Sequence, residues 1–413
     1  MSKGIKKTIR SFFNKRGYEI VKIEGERPPL PESDKKDILF ENGFIVDTAK
    51  VDFSREDFED RDTSYVTVNW VIPQPGIGSG GHMTIFRTID HIGRLGIKSK
   101  IYCYGGDGLA SSEGLRDFVK QYYDVDLAHN EIYPDTSKMG YADAIMATSW
   151  NTAYFVRNFN NCLSKFYFVQ DFEPFFYGVG SSYYFAENTY KMGFRGITAG
   201  YWLRDKLSRE YGMETVGFRF AYDKDLYKPH VKEDSTDRVL FYARPYTDRR
   251  AFEVGVLALE VLAKRRPDLE VVFIGQKLDD YKFGFKYTDL GIVDIRELSA
   301  VYGRCDMCLV LSSTNLSLLP MEVMASGSVV VSNVGPNNEW LLNSENSVLV
   351  ECDPLVIADR MDYLLGYKEE LDKIKAGSKK YIENITWEEE LAKVADFIKS
   401  CVDKDVRDKR SSL

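Results

Sequence analysis

The sequence predicts an α/β chain built from two Rossmann-like domains that face each other across a central cleft. Its 413 residues, 44% of them hydrophobic and 29% charged, supply apolar material for two ordinary globular cores and are many for one. From about residue 60, short β-branched and aromatic runs alternate with helical stretches, the pattern of a parallel sheet with crossover helices. The alternation occurs as two series of similar size, parted by the polar, weakly patterned stretch 220–238.

Residues 1–60 form an N-terminal extension. It opens with Lys3, Lys6, Lys7, Arg10, Lys15 and Arg16 before the first acid at Glu19, and with Ile5, Ile9, Phe12 and Phe13 at helical spacing. Residues 1–16 therefore suit peripheral contact with anionic lipid, at the inner face of a cell membrane. A terminal helix with its charges in water accounts for them as well. The first domain, 61–219, takes strands from the apolar runs YVTVNWVIP (65–73), SKIYCYGG (99–106), DAIMATS (143–149), KFYFVQ (165–170) and GITAG (196–200). After the linker 220–238, the second domain, 239–385, takes strands from 239–245, 269–275, 306–313, 328–333 and 347–351, with a helix over 249–265. The C-terminal helix and tail, 386–413, set Trp387, Leu391, Val394 and Ile398 on one face.

Composition excludes several functions. A net charge of -8 argues against a general nucleic-acid binder, which needs a basic surface to displace counterions. Six cysteines spread from Cys103 to Cys401 read as reduced thiols in a cytoplasmic setting, not a disulfide framework. With no apolar run of eighteen residues and no apolar core of an export signal, neither a membrane span nor secretion is expected. Cys305 and Cys308 have metal-pair spacing but lie on an apparent buried strand, with no second pair to complete a zinc site. Asp124 and Asp126 read as a solvated turn, and His91, His129 and His230 fall in no catalytic pattern.

Two open α/β sheets place ligands at the carboxyl ends of their strands, so motifs there carry the function. PQPGIGSGGHMT (73–84) leaves a strand and enters a helix marked by Met83, Phe86, Ile89, Ile92 and Leu95. Gly76, Gly78, Gly80 and Gly81 allow a phosphate or oxyanion to approach helix-start amides, although a tight βα turn needs glycine too. In FYARPYTDRRAFEVGVLALE (241–260), Arg244, Arg249 and Arg250 stand at a strand end and helix start, where guanidinium forks can clamp a diphosphate. An ion-pair cluster with Asp248 and Glu253 is the plainer account. In STNLSLLPMEVMASGSVVVSN (313–333), Glu322 sits among apolar neighbours, and a carboxylate so placed needs donors such as ribose hydroxyls.

YARPYTDRR and SSTNLSLLPMEVMASGSVVVSN resemble the donor half of glycosyltransferase family 4, of GT-B fold, and the resemblance to that family covers roughly residues 65–402. The resemblance implies that Arg244 and Arg249 hold the donor pyrophosphate, with arginine at the second place where lysine is more usual. It makes Glu322 the ribose ligand and sets Gly275 and Ile292 at the nucleobase pocket. The family's other glutamate falls on Thr314, and its glycine-rich turn is replaced by Asn315, Leu316, Ser317 and Leu318, whose backbone amides are expected to face the sugar and phosphate. A C-terminal helix crossing back to the first domain is also expected. So is a leaving group stabilised without an essential divalent metal or other cofactor.

FYFVQDFEPFFYGVG (166–180) offers Asp171 and Glu173 among aromatic residues just past a strand. The chain as a whole resembles bacterial rhamnosyltransferases of the WsaF type, which build S-layer rhamnan. The resemblance implies retaining transfer of L-rhamnose from dTDP-β-L-rhamnose to a growing, rhamnose-containing and lipid-linked glycan, through a β-1,2 linkage. His82, Asp171 and Glu173 are the expected acceptor contacts. Arg244, Arg249 and the Gly80 and Gly81 amides would meet the charge on the departing diphosphate. Asp171 would orient the acceptor or balance the developing positive centre, and in an inverting enzyme it would be the general base. Capping of a turn explains Asp171 and Glu173 without any ligand. Three rivals remain: transfer from another nucleotide sugar, isomerase or phosphorylase chemistry, and a catalytically weak subunit of a glycan-assembly complex.

Overall fold

The computed structural model describes residues 37–105 and 111–412. The chain divides into a unit ending at Asp47 and a larger one running from Thr48. In the first unit Asp37 caps helix α1 (Ile38–Val46), accepting from the Leu39 and Phe40 amides. The basic stretch 1–16 lies outside the described residues.

The larger unit starts earlier than the boundary at residue 60 suggested by composition. Val51 pairs with Phe159, and the short helix α2 (Arg55–Glu59) buries Phe58. A seven-stranded parallel sheet follows, made of β1 (Val66–Pro73), β2 (Ile97–Tyr104), β3 (Glu131–Tyr133), β4 (Ala142–Ala147), β5 (Cys162–Val169), β6 (Arg195–Ala199) and β7 (Thr215–Phe218). Its order is β3-β2-β1-β4-β5-β6-β7. Its helices are α3 (Gly80–Arg94), α4 (Ser112–Tyr123), α5 (Trp150–Asn158), α6 (Ser181–Thr189) and α7 (Tyr201–Tyr211). The second sheet is six-stranded and parallel: β8 (Arg238–Tyr242), β9 (Glu270–Ile274), β10 (Tyr287–Asp289), β11 (Met307–Leu309), β12 (Val329–Asn333) and β13 (Val348–Val350), in the order β10-β9-β8-β11-β12-β13. With it go α8 (Phe252–Arg265), α9 (Ile295–Gly303), α10 (Leu319–Ala325), α11 (Pro336–Glu339), α12 (Pro354–Gly366) and α13 (Lys368–Ile382), and the chain closes with α14 (Trp387–Ser412).

Three strands escape the sequence reading because they are short and lack an apolar run. β10 is largely exposed, β3 buries Ile132 alone, and β7 carries Gly217, where a Cβ would approach Tyr201 Cδ1 to 2.9 Å. β11 ends at Leu309, not at 313; beyond Val310, whose amide still donates to the Val331 carbonyl, the chain leaves the ladder and the Ser312 amide donates to the Asn333 side chain. Leu95, expected on the apolar face of α3, is that helix's C-terminal cap and is exposed. The helix expected from residue 249 begins at Phe252. Before it, Asp248–Arg250 form a 3-10 turn, and Ala251 takes a left-handed conformation with φ 47°, unusual for a residue with a side chain.

Buried residues of the two sheets join in one continuous apolar cluster, from Trp70 and Phe168 through Phe218 and Trp387 to Leu318 and Met321. Helix α14 lies on the first sheet, burying Trp387, Leu391, Val394, Ile398 and Val402, with Phe397 edge-on to Phe166. Glu390, fully buried, accepts from the Arg219 amide and guanidinium and from Lys393. Asp405 forms a bidentate pair with Arg195 and accepts from Ser164. Among the described residues no helix is long and apolar enough to cross a membrane. Because Glu390→Ala removes the buried acceptor shared by the Arg219 amide and guanidinium and by Lys393, that variant should lose about 1–2 kcal/mol of stability; urea unfolding measures it.

Candidate active site

In both sheets the strand order reverses beside the first strand, between β1 and β4 and between β8 and β11. Open parallel sheets bind ligands in the crevice at such a point. The loops leaving β1, β5, β8 and β11 carry the residues singled out from the sequence.

After β1, Ser79 caps α3, its hydroxyl accepting from the His82 amide. The His82 ring braces this loop: Nδ1 lies 2.8 Å from Ser79 Oγ and Nε2 lies 3.1 Å from the Pro73 carbonyl oxygen. Burial lowers its pKa, and the neutral form with the proton on Nε2 satisfies both contacts. Both ring nitrogens are thus engaged within the loop. The Gly81 carbonyl accepts from Gln170 Nε2, and nothing lies within 4 Å of where a Cβ on Gly80 would stand. Gly78 has φ 73°, and a Cβ there would stand 3.8 Å from Ile292 of the second domain, so the glycine loop and the expected nucleobase wall face each other closely.

After β8, Arg244 donates to the Gly275 carbonyl at 3.3 Å. Gly275 has φ 111°, and a Cβ would come within 2.9 Å of the Ala243 carbonyl oxygen, so only glycine fits where the two loops cross. Arg249 lies 4.1 Å over the Phe176 ring. Its Nε is buried without a hydrogen-bond partner, 3.7 Å from Asp171 Oδ2. Burial lowers the guanidinium's pKa and Asp171 opposes that shift. Arg250, which turns inward, donates to Ser312 at 2.8 Å. The loop after β11 is further held by Asn333, Asn337 and Asn338, whose side-chain amides donate to the Ser312 carbonyl. This scaffold went unread, although three asparagines in NVGPNN (333–338) were its signal.

Asp171 crosses the cleft. Its Oδ2 accepts from the Thr314 hydroxyl and its Oδ1 from the Asn315 and Phe172 amides, each at 2.8 Å. Burial pushes its pKa up, while Arg250, the Asn315 amide, Arg249 and Thr314 pull it back. Asn315 Nδ2 donates to the Gln170 and Ala199 carbonyls, and Oδ1 accepts from Trp340 Nε1. Leu316 and Leu318 are buried, and the Ser317 hydroxyl accepts from the Leu319 amide at 3.4 Å.

Glu173, two residues on, turns inward instead of across the cleft. It is buried inside the first domain, where Oε2 accepts from the Trp150 amide at the start of α5 and Oε1 from the Tyr167 hydroxyl. Its carboxylate is a helix cap in an aromatic nest, the plainer of the two accounts the sequence allowed. Glu322 projects from α10 with Tyr302 donating at 3.4 Å; burial raises its pKa, and Tyr227, Arg87 and Tyr302 counter the rise. The Tyr227 hydroxyl, buried beside it, completes no hydrogen bond. Cys305 and Cys308 are buried, their thiols directed to the Val301 carbonyl and Ser328. Among the described residues no group of three His, Cys, Asp or Glu side chains is placed to hold a metal ion.

Residues 116–199 match the model of the WsaF N-terminal domain and residues 237–362 that of the WsaF C-terminal domain, together about half of the chain. The chain belongs to the WsaF family of GT-B glycosyltransferases. The WsaF matches take in Asp171, the arginine turn and the loop after β11, and leave the glycine loop outside. The O-antigen biosynthesis protein RfbC of Myxococcus xanthus is 30% identical over 348 residues, covering 79% of this chain; the chain spans 26% of that protein's length. The fold is shared with S. aureus TarM crystallised with UDP (TM-score 0.65, 9% identity, covering 81% of this chain and 99% of that one) and with Anabaena HepE in complex with UDP and glucose (TM-score 0.58, 14%, 84% and 100%). Sucrose-phosphate synthase from Thermosynechococcus elongatus has it too (TM-score 0.62, 13%, 81% and 98%).

Burial raises the Glu173 carboxyl from 4.5 to about 7, against the hydrogen bonds from Tyr167 and Trp150. Between those values the folded protein holds a proton that the unfolded chain has released, so stability falls as pH rises through the window. Glu173→Gln, which does not titrate, should lose that slope in urea midpoints measured from pH 5 to 8.

Proposed function

We propose that this WsaF-family transferase moves L-rhamnose from dTDP-β-L-rhamnose to a rhamnose-containing, lipid-linked glycan in cell-surface polysaccharide assembly. Transfer proceeds with retention, forms a β-1,2 linkage and requires no divalent metal. The observation that carries the reading is the Arg249 guanidinium, in the turn before α8: its Nε is buried without a hydrogen-bond partner, 3.7 Å from Asp171 Oδ2. A guanidinium that approaches its carboxylate without closing a hydrogen bond keeps donors for the oxygen atoms of a phosphate.

In this reading Arg249 and Arg244 meet the charge that builds on the diphosphate as the anomeric bond breaks, with the amides of residues 316–318 and of Gly80 and Gly81 assisting them, while the Asn315 amide, expected from the sequence to face the sugar and phosphate, is spent on Asp171. Glu322 accepts from a hydroxyl of the nucleotide's sugar, and Gly275 and Ile292 flank the base. The anomeric carbon gains positive charge, which the Asp171 carboxylate stabilises while orienting the acceptor hydroxyl. In retaining transfer that hydroxyl attacks from the leaving-group face and gives its proton to a phosphate oxygen, so no separate nucleophile is required. His82, with both ring nitrogens spent, sets the shape of the glycine loop. The RfbC relationship supports a role in surface glycans, and the proposed workplace is the cytoplasmic face of the membrane.

Thermal shift with dTDP, UDP and GDP tests the donor, and mass spectrometry of a rhamnoside incubated with dTDP-L-rhamnose and EDTA tests transfer. The expected results are greatest stabilisation by dTDP and a gain of one deoxyhexose despite EDTA; a protein stabilised by no nucleotide overturns the reading. Arg249→Ala should lower kcat by about a hundredfold or more, the scale of losing one preorganised donor to a developing anion, as steady-state kinetics at saturating donor would read.

A further inference from the structure

The carboxylate that faces the loop after β11 belongs to the other domain. Asp171 follows β5 of the first sheet, yet both its oxygens are held from the second: Oδ2 by the Thr314 hydroxyl and Oδ1 by the Asn315 amide. Two residues of one loop therefore grip one side chain across the cleft. The same loop is bolted in place by the Asn315 side chain, which is 1% exposed and reaches the ends of β5 and β6 through the Gln170 and Ala199 carbonyls. Its remaining acceptor takes the Trp340 indole N–H, and that indole fills the space over Gly200, where a Cβ would meet it at 2.6 Å. A buried amide with both Nδ2 hydrogens and its oxygen engaged holds its surroundings in one arrangement, because any shift leaves polar groups unpaired.

A hydroxyl is what this geometry accepts at position 314. A carboxylate there would stand against Asp171, and like charges at such separation do not both ionise. We propose that Thr314 and Asn315 are positioning residues, which hold the acceptor-domain carboxylate of Asp171 inside the donor site so that the two halves of the centre are assembled together. The inference rests on the transferase reading above. The charged and titratable groups facing Asp171 are Arg249 and Arg250 from the arginine turn, and Glu173 and Tyr190 from its own domain.

The test compares kcat, its acid limb and dTDP affinity in the full chain carrying Thr314→Val, Thr314→Ser or Asn315→Ala. Each is measured on whichever nucleotide sugar the wild type turns over, so the comparison does not depend on the sugar's identity. Thr314→Val keeps the shape and loses the donor; kcat should fall about tenfold or more, as expected for one hydrogen bond to a charged group. Its acid limb should move to higher pH, because Asp171 loses a bond that favours its ionised form. Thr314→Ser should retain both properties. Asn315→Ala should lower kcat and raise the share of donor lost to water, while dTDP affinity stays within about twofold of wild type, the mark of an interaction outside ground-state binding. Equal kcat and acid limb in the Val and Ser variants overturns the proposal, as does a wild-type kcat in Asn315→Ala. Parallel loss of kcat and dTDP affinity in all three also overturns it, since the residues would then serve the nucleotide pocket or the fold. A wild type that turns over no nucleotide sugar defeats the transferase reading first, and this inference with it.

Discussion

The site depends on a seam of hydrogen bonds buried between the two sheets, with the Asn315 side chain at its centre. The arginine turn and the carboxylate that faces it come from different crevices. The second contributes Arg244 and Arg249, the first contributes Asp171, and the groups lie within reach of one another because Asn315, Thr314 and Trp340 fix the loop after β11 against the ends of β5 and β6. The seam also removes water from around these charges. Burial raises Asp171 and lowers Arg249, opposing shifts that each partner tempers in the other. A desolvated pair of this kind interacts more strongly with a ligand's charge than the same groups would in water.

Much of this was legible in the sequence, for local reasons. Apolar runs report strands buried on both faces, so the central strands of both sheets were found, while β3, β7 and β10, short and at or near sheet edges, left no such trace. Arg244 and Arg249 were readable because they stand at a strand end before a helix, a position that topology alone makes significant. Glu322 was readable from the apolar residues around it. What stayed hidden were relations between distant segments. Asp171 and Thr314 are 143 residues apart in the chain, and nothing near either names the other as its partner. Glu173 and Asp171 look alike in the sequence, two acids just past a strand. One turns inward to cap α5 and the other crosses the cleft, a choice made by Tyr167, Trp150 and the opposite domain.

The charge balance reads differently at the scale of the site. A net charge of -8 over the whole chain does not oppose binding a nucleotide diphosphate, because the cations are concentrated where β8 ends, and Arg250 is committed to the loop that positions the others. Arg249 lies over Phe176 with one edge unsatisfied, whereas Arg244 leans on the Gly275 carbonyl. Planar guanidinium forks suit this partition of duties, with some donors anchoring the side chain and others left for oxygen atoms of a ligand.

Helix α14 carries a consequence for how the molecule is made. It supplies the outer layer of the first sheet, through Trp387, Leu391, Val394 and Ile398, and it pins that sheet with Glu390 and Asp405. On the ribosome, domains generally mature from the N-terminus onward. Here the first sheet emerges early but waits with an apolar face uncovered until the whole second domain and α14 have been synthesised. Completing the first domain is therefore tied to synthesis of the last helix, so the first sheet cannot be covered on both faces before the second domain has been made.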